Sequence, residues 1–189
     1  MKRLAIFGSG AGSNAENICV YFNNSSDIKV VIMCTNRKDA LIVERAKKLK
    51  VPMVFTSNSD LKKFDDLEKI LVKHKVDYII LAGFLLKIPS KMINQYPNKI
   101  INIHPSLLPK YGGKGMYGEN VYRAVLENKE TESGISVHFV NQNYDEGKII
   151  FQESFSLSPD ENLESLTAKI HELEQSLFPK IIEKTLFSL

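Results

Sequence analysis

The sequence predicts an α/β protein: a mostly parallel central sheet with helices on both faces and an antiparallel addition late in the chain. Three observations carry that reading. Short unbroken apolar runs, LAIFG (4–8), IKVVIMCT (28–35) and VDYIILAG (76–83), have the composition of strands buried on both sides. Helical patterns separate them, as parallel connections require. A glycine-rich turn, GSGAGSN (8–14), joins the first strand to the first helix.

Taken in order, the strand over 4–8 is followed by a helix over 12–24, a strand over 28–35 and a helix over 39–50. A short strand, VPMVFT (51–56), leads into a single helix over 59–75, whose apolar positions Leu61, Phe64, Leu67, Ile70 and Leu71 recur at helical spacing, with Asp60 as its N-cap. The strand over 76–83 follows, then a short helix after Pro89 (90–96) and a strand from Ile100 that stops at His104-Pro105. A helix over 118–128 precedes SGISVHFV (133–140) and IIFQESFSL (149–157), which the polar turn at Asp145-Glu146-Gly147 joins as an antiparallel hairpin. A long helix over 162–186 closes the chain. No linker, repeat or low-complexity segment divides it, so one domain over 1–189 is expected.

A chain of 189 residues with 43% hydrophobic content has the material for a full core. The net charge of +3 is too small to point to nucleic acid, and the lysines are scattered over amphipathic helices. No apolar run approaches the ~20 residues a membrane span needs. The N-terminus enters a strand at once rather than a signal peptide. Cys19 and Cys34 lack metal or redox spacing and read as buried free thiols of a cytoplasmic protein.

The glycine turn lies where parallel α/β sheets bind phosphates, because glycines admit a close backbone approach and the helix offers its positive end. It is not the dinucleotide fingerprint: Ser13 stands where the last glycine belongs, and the second strand ends at Thr35-Asn36-Arg37 rather than at an acid. No G-K-[ST] follows. The pattern fits a monophosphate cradle made of Gly12, Ser13 and Asn14; the alternative is a tight turn in which Ser13 only caps the helix.

INIHPSLLPKYGG (101–113) brings Asn102 and His104 to one side of a strand, two residues apart, at the carboxyl end where ligands bind in open α/β sheets. Pro105 stops the strand and stiffens the loop beyond it. An amide donor beside a titratable ring suits a reaction passing through a tetrahedral oxyanion. Asp145 becomes part of that chemistry only where the fold brings it beside His104, whose pKa it would then raise. His138 reads as a structural member of an alternating strand. The four histidines are too far apart in sequence to suggest a metal site, and no G-x-S-x-G elbow is present.

These segments together resemble the folate-dependent formyltransferases. Asn-x-His-Pro-Ser-Leu-Leu-Pro, the later SGISVHFV and D-x-G, the turn at Gly10–Asn14 and LAGF (81–84) carry the likeness, which runs from residue 4 to about 183. Within that family the pattern is most similar to the branch that acts on glycinamide ribonucleotide. The resemblance implies a Rossmann-like formyltransferase fold and 10-formyltetrahydrofolate as co-substrate, with no metal, no nucleic acid and no membrane partner. It leaves monomer and homodimer both open.

By the same resemblance, Gly12, Ser13 and Asn14 would bind the ribonucleotide phosphate and Glu174 would contact the ribonucleotide. Asn102 and His104 would stabilise the oxyanion, with Asp145 paired to His104. Leu85, Leu86 and Ile88, with Asn141, Asn143 and Tyr144, would serve the folate, largely through backbone contacts. The chain departs from many relatives at Leu86, where they carry arginine, and in the glycine-rich stretch after LLPKY. A formyltransferase acting on methionyl-tRNA would carry a further basic C-terminal domain, and a formyltetrahydrofolate hydrolase an extra N-terminal one; neither is expected. A non-catalytic nucleotide-binding module would leave Asn102, His104 and Asp145 without purpose.

Overall fold

The computed structural model describes residues 1–188, which divide into two compact units, the first from Met1 to Ile101 and the second from Asn102 on. The first contains β1 (Lys2–Phe7), α1 (Ser13–Tyr21), β2 (Ile28–Thr35), α2 (Ile42–Lys48), β3 (Met53–Phe55), α3 (Asn58–Lys63), α4 (Asp65–Lys73), β4 (Tyr78–Leu81) and α5 (Ser90–Gln95). Its strands are parallel and run in the order β3-β2-β1-β4. β1 and β4 are apolar throughout their centres because both faces are covered: Leu4, Ala5, Ile6 and Phe7 are fully buried, as are Ile79 and Ile80. Phe7 pairs with Cys34 on one side and Leu81 on the other, so three strands end at one level.

The expected helix over 59–75 is two helices. The chain breaks at Phe64, which adopts φ +66 between α3 and α4. A left-handed residue costs about 1–2 kcal/mol. Phe64 is fully buried, and burying such a ring returns about 1.5–3 kcal/mol, enough to hold the break. The N-cap is Ser57, not Asp60: the Ser57 hydroxyl accepts the Asp60 N–H at 3.1 Å, which places Asp60 inside the first turn.

β5 (Ile100–His104) carries the chain into the second unit, which holds α6 (Glu119–Glu127), β6 (Glu132–Phe139), β7 (Ile149–Ser156) and α7 (Leu163–Ser188). β6 and β7 pair antiparallel, as the hairpin reading expects, with Ser136 opposite Gln152. Their register shifts between Val137 and His138. The extra residue, Ile150, lies on β7, near the end of the hairpin that leads into the turn carrying Asp145. α7 packs on α6 and β6 through Leu166, Ile170, Phe178, Ile182 and Leu186, all fully buried. No helix among the described residues is long and apolar enough to cross a membrane.

Candidate active site

In the first unit the glycine turn has the form a close backbone approach needs. Gly12 has φ +75, and a Cβ there would lie 2.7 Å from Ile42 Cβ, so glycine is required on two counts. Gly12 occupies the N-cap of α1 with no side-chain cap, and Ser13 and Asn14 open the helix, both partly accessible. Ser13 therefore does not cap α1, and the turn-and-cap alternative fails on that point. Arg45 braces the turn, donating to the Ala11 carbonyl at 2.9 Å and pairing with Glu16.

Ser9 ties three strand ends together, a role that sequence reasoning missed. Fully buried, it donates its N–H to the Gly83 carbonyl at 3.0 Å and its hydroxyl to Asn36 Oδ1 at 2.5 Å, and it accepts the Leu85 N–H at 2.9 Å. The segment after β4 is thereby fixed to the glycine turn. Of the residues expected there, Leu85 is exposed and Leu86 half-buried, while the Ile88 side chain belongs to the core. A serine between two glycines was the available signal, and it reads in sequence as turn composition only.

The second unit brings the residues expected to be catalytic together and sets His138 among them. Asn102 and His104 sit two residues apart on β5, and Asp145 lies at φ +55 in the turn between β6 and β7. Asp145 Oδ2 accepts the Gly113 N–H at 2.9 Å and stands 3.7 Å from His104 Nδ1; Oδ1 stands 3.6 Å from His138 Nε2. Gly147 allows the turn to close, since a Cβ there would fall 1.7 Å from the Phe139 carbonyl oxygen. His138 is thus no bystander in the strand core. Its Nε2 accepts the Asn102 amide N–H at 3.1 Å, and its Nδ1 donates to the Phe139 carbonyl at 2.9 Å. His138 follows two residues after Ser136, whose hydroxyl accepts the Leu108 N–H and donates to the Ser106 carbonyl, so alternation already places its ring on the side of β6 that faces the loop after β5.

Hydrogen-bond partners fix both tautomers, because a carbonyl only accepts. His104 donates Nε2–H to the Tyr111 carbonyl at 2.7 Å, so in the neutral ring the lone pair is at Nδ1, facing Asp145. His138 carries its proton on Nδ1 and turns the Nε2 lone pair to the Asn102 amide, which holds that amide with nitrogen, not oxygen, towards the histidine. Burial, the largest influence, pushes the His104 pKa below its ordinary 6.5. The Asp145 charge acts upwards, as expected, and so does the Tyr111 carbonyl, but burial prevails and the net shift is a fall. For Asp145 burial is again the largest single influence and acts upwards. The His138 ring beside it, the His104 charge and the Gly113 N–H together outweigh it and hold the carboxyl below its usual range.

The remaining expected residues divide by exposure. Asn141, Asn143 and Tyr144 are exposed on the turn that carries Asp145, with Asn141 Oδ1 accepting the Asn143 N–H at 3.0 Å and Asn143 Nδ2 donating to Glu146 at 2.7 Å. Glu174 is buried on α7, where its charge adds to burial in pushing the Tyr122 phenol up. Cys19 and Cys34 are buried free thiols, each pushed by burial to about 12. Among the described residues no group of three or more His, Cys, Asp and Glu is arranged to hold a metal ion.

The chain belongs to the formyl transferase family, whose model matches residues 2–182. It is 36% identical over 187 residues to the chloroplastic phosphoribosylglycinamide formyltransferase of Arabidopsis thaliana, covering 96% of this chain and 64% of that protein. A Vigna unguiculata protein of the same name is 35% identical, with 60% of its length spanned. The chain thus spans less than two thirds of these plant relatives. It is also 35% identical to the Haemophilus influenzae phosphoribosylglycinamide formyltransferase, covering 97% of this chain and 86% of that one. Among solved structures, the phosphoribosylglycinamide formyltransferase of Bacillus halodurans superposes with a TM-score of 0.88 at 31% identity, over 98% of this chain and 95% of that chain.

Proposed function

We propose that the chain transfers the formyl group of 10-formyltetrahydrofolate to the primary amine of glycinamide ribonucleotide, a step of purine biosynthesis. The observation that carries the reading is the linked set Asn102–His138–Asp145–His104, present on a chain of the formyl transferase family. The amine attacks the formyl carbon directly, with no covalent enzyme intermediate. A carbon–nitrogen bond forms to the acceptor, the bond to the folate nitrogen breaks, and the proton lost by the amine ends on that folate nitrogen. Asn102, oriented by His138, donates an N–H to the oxyanion. His104 enters neutral and binds the proton in transit, with Asp145 stabilising the imidazolium.

Gly12, Ser13 and Asn14 are assigned to the ribonucleotide phosphate, on the exposed glycine turn and the start of α1, and Glu174 to the ribonucleotide. Contacts with the folate are assigned to the backbone around Leu85, Leu86 and Ile88 and to Asn141, Asn143 and Tyr144. We read residues 1–189 as acting as one catalytic domain, since the family match runs through both units. The two buried free thiols suit a reducing compartment such as the cytoplasm.

The test is an absorbance assay of 10-formyl folate with and without glycinamide ribonucleotide. Deformylation that depends on the ribonucleotide supports the transferase; equal deformylation in its absence points to hydrolysis and overturns it. His104→Ala is expected to reduce kcat far more than it changes KM, because the imidazolium exists only along the reaction path.

A further inference from the structure

The loop that follows β5 is built around a carbonyl. Ser106 donates its hydroxyl to the Lys110 carbonyl at 2.7 Å, and the next carbonyl, that of Tyr111, receives Nε2–H of His104 at 2.7 Å. Tyr111 stands at φ +55, a backbone region that L side chains rarely adopt, immediately before Gly112 and Gly113. Its side chain is anchored in turn. The phenol donates to Glu130 Oε1 at 2.8 Å, and Lys110 Nζ reaches both Glu130 oxygens at 3.0 Å. Glu130 lies beyond the C-terminus of α6.

We propose that Lys110, Tyr111 and Glu130 form a clasp that positions His104, holding the Tyr111 carbonyl where it fixes the proton on Nε2 and leaves Nδ1 as the only base. The proposal rests on the reading of His104 as the proton-binding group. Tyr111 is a positioning residue in it, acting through the histidine.

A carbonyl cannot donate, so as long as the clasp holds, Nε2 has to keep its hydrogen and Nδ1 faces the Asp145 carboxylate. Released, Nε2 could surrender the proton to Nδ1, which would then donate to Asp145, and the ring would present the wrong nitrogen. The groups facing the ring are Asp145 from the β6–β7 turn, His138 from β6 and the Tyr111 carbonyl from the loop; none but the carbonyl selects Nε2–H. Burial and then the Glu130 carboxylate push the Tyr111 phenol up to about 12, so the phenol stays a donor over the neutral range. The Lys110 and Tyr111 hydrogen bonds keep Glu130 below its usual range, and so charged.

The experiment pairs steady-state kinetics with nitrogen NMR of the histidine rings in uniformly labelled protein. Tyr111→Phe keeps the carbonyl and the ring and removes only the hydroxyl. The expected result is an Nε2–H pattern for His104 in the parent chain and a mixed or Nδ1–H pattern in Tyr111→Phe. With it, kcat falls by at least about tenfold while KM for both substrates changes less than about twofold, the signature of a misplaced group rather than lost binding. Glu130→Gln keeps an acceptor for the phenol, so its kcat is expected above that of Glu130→Ala. Retention of the parent His104 pattern in Tyr111→Phe overturns the clasp, whether kcat is unchanged or falls with melting temperature. The spectra decide the clasp even where no ribonucleotide-dependent deformylation is found, a result that would overturn the transferase reading alone.

Discussion

Asp145→Asn isolates a charge. Asparagine has nearly the same volume and keeps an oxygen for the Gly113 N–H, so the turn is preserved while the carboxylate is lost. The carboxylate stands 3.7 Å from His104 Nδ1 and is only 13% exposed. At that range, with an effective dielectric of about 20, a unit negative charge stabilises an imidazolium by about 4 kcal/mol. If His104 becomes charged only along the reaction path, that stabilisation belongs to the transition state, and each ~1.4 kcal/mol is a factor of ten in rate. The expected fall in kcat/KM is on the order of a thousandfold. The pH profile carries an independent sign. Asp145 raises the His104 pKa against burial, so removing it leaves burial less opposed and moves the acid limb to lower pH. Steady-state deformylation with both substrates, followed from acid to neutral pH, measures both effects. A loss smaller than about tenfold, or an acid limb displaced upwards, would refute the reasoning.

Ser9→Ala removes the acceptor of the part-buried Leu85 N–H and the donor to Asn36; losing them costs about 1 kcal/mol, and KM for the folate is expected to rise with little change in the ribonucleotide KM. Gly147→Ala forces a Cβ into the Phe139 carbonyl, so the turn carrying Asp145 has to move; a destabilisation on the order of 3 kcal/mol and loss of turnover are expected, and a parent-like melting temperature would contradict the geometry. Ser57→Ala deletes the cap of α3 at a cost of about 1 kcal/mol, read as a lower urea midpoint with kcat intact. Both shifted groups bind protons less readily when folded than when unfolded. Stability is therefore expected to fall as pH drops from 6.5 through the lowered pKa of His104, and again below 3.8 through that of Asp145; constant urea midpoints over those windows would contradict it.

Periodicity made the fold legible wherever burial alone decided the residue types. The buried strand at 28–35 and the hairpin of β6 and β7 lie where their apolar patterns place them. The helix expected over 59–75 failed at Phe64 because helical spacing records which side chains are buried, not the sign of φ at the residue that buries one. Asn102, His104 and Asp145 stood out in the sequence as polar groups in apolar or turn surroundings, and the structure brings them together. His138 did not: alternation gives the side of β6 on which it lies, while the groups it meets there, Asn102 on β5 and Asp145 in the turn, come from other segments. Ser9 escaped for a related reason, since its partners, Asn36 and the Gly83–Leu85 segment, are far from it in sequence and reach it only where strand ends align.

The direction of the His104 shift alters what the Asp145 pairing is for. In the transfer we propose, a histidine charged at rest could not take a proton from the attacking amine. Burial instead keeps the ring neutral, and distances of 3.7 and 3.6 Å from Asp145 to the two histidine nitrogens are too long for hydrogen bonds. The His104 Nδ1 lone pair faces the carboxylate, an arrangement that repels in the resting state, whereas the His138 Nε2 lone pair is taken by the Asn102 amide. A single proton arriving at His104 Nδ1 turns that repulsion into an ion pair and shortens the contact. In the proposed mechanism the resting repulsion and the later attraction favour the same event, uptake of one proton at one nitrogen, which would supply the difference in binding between ground and transition state that catalysis needs.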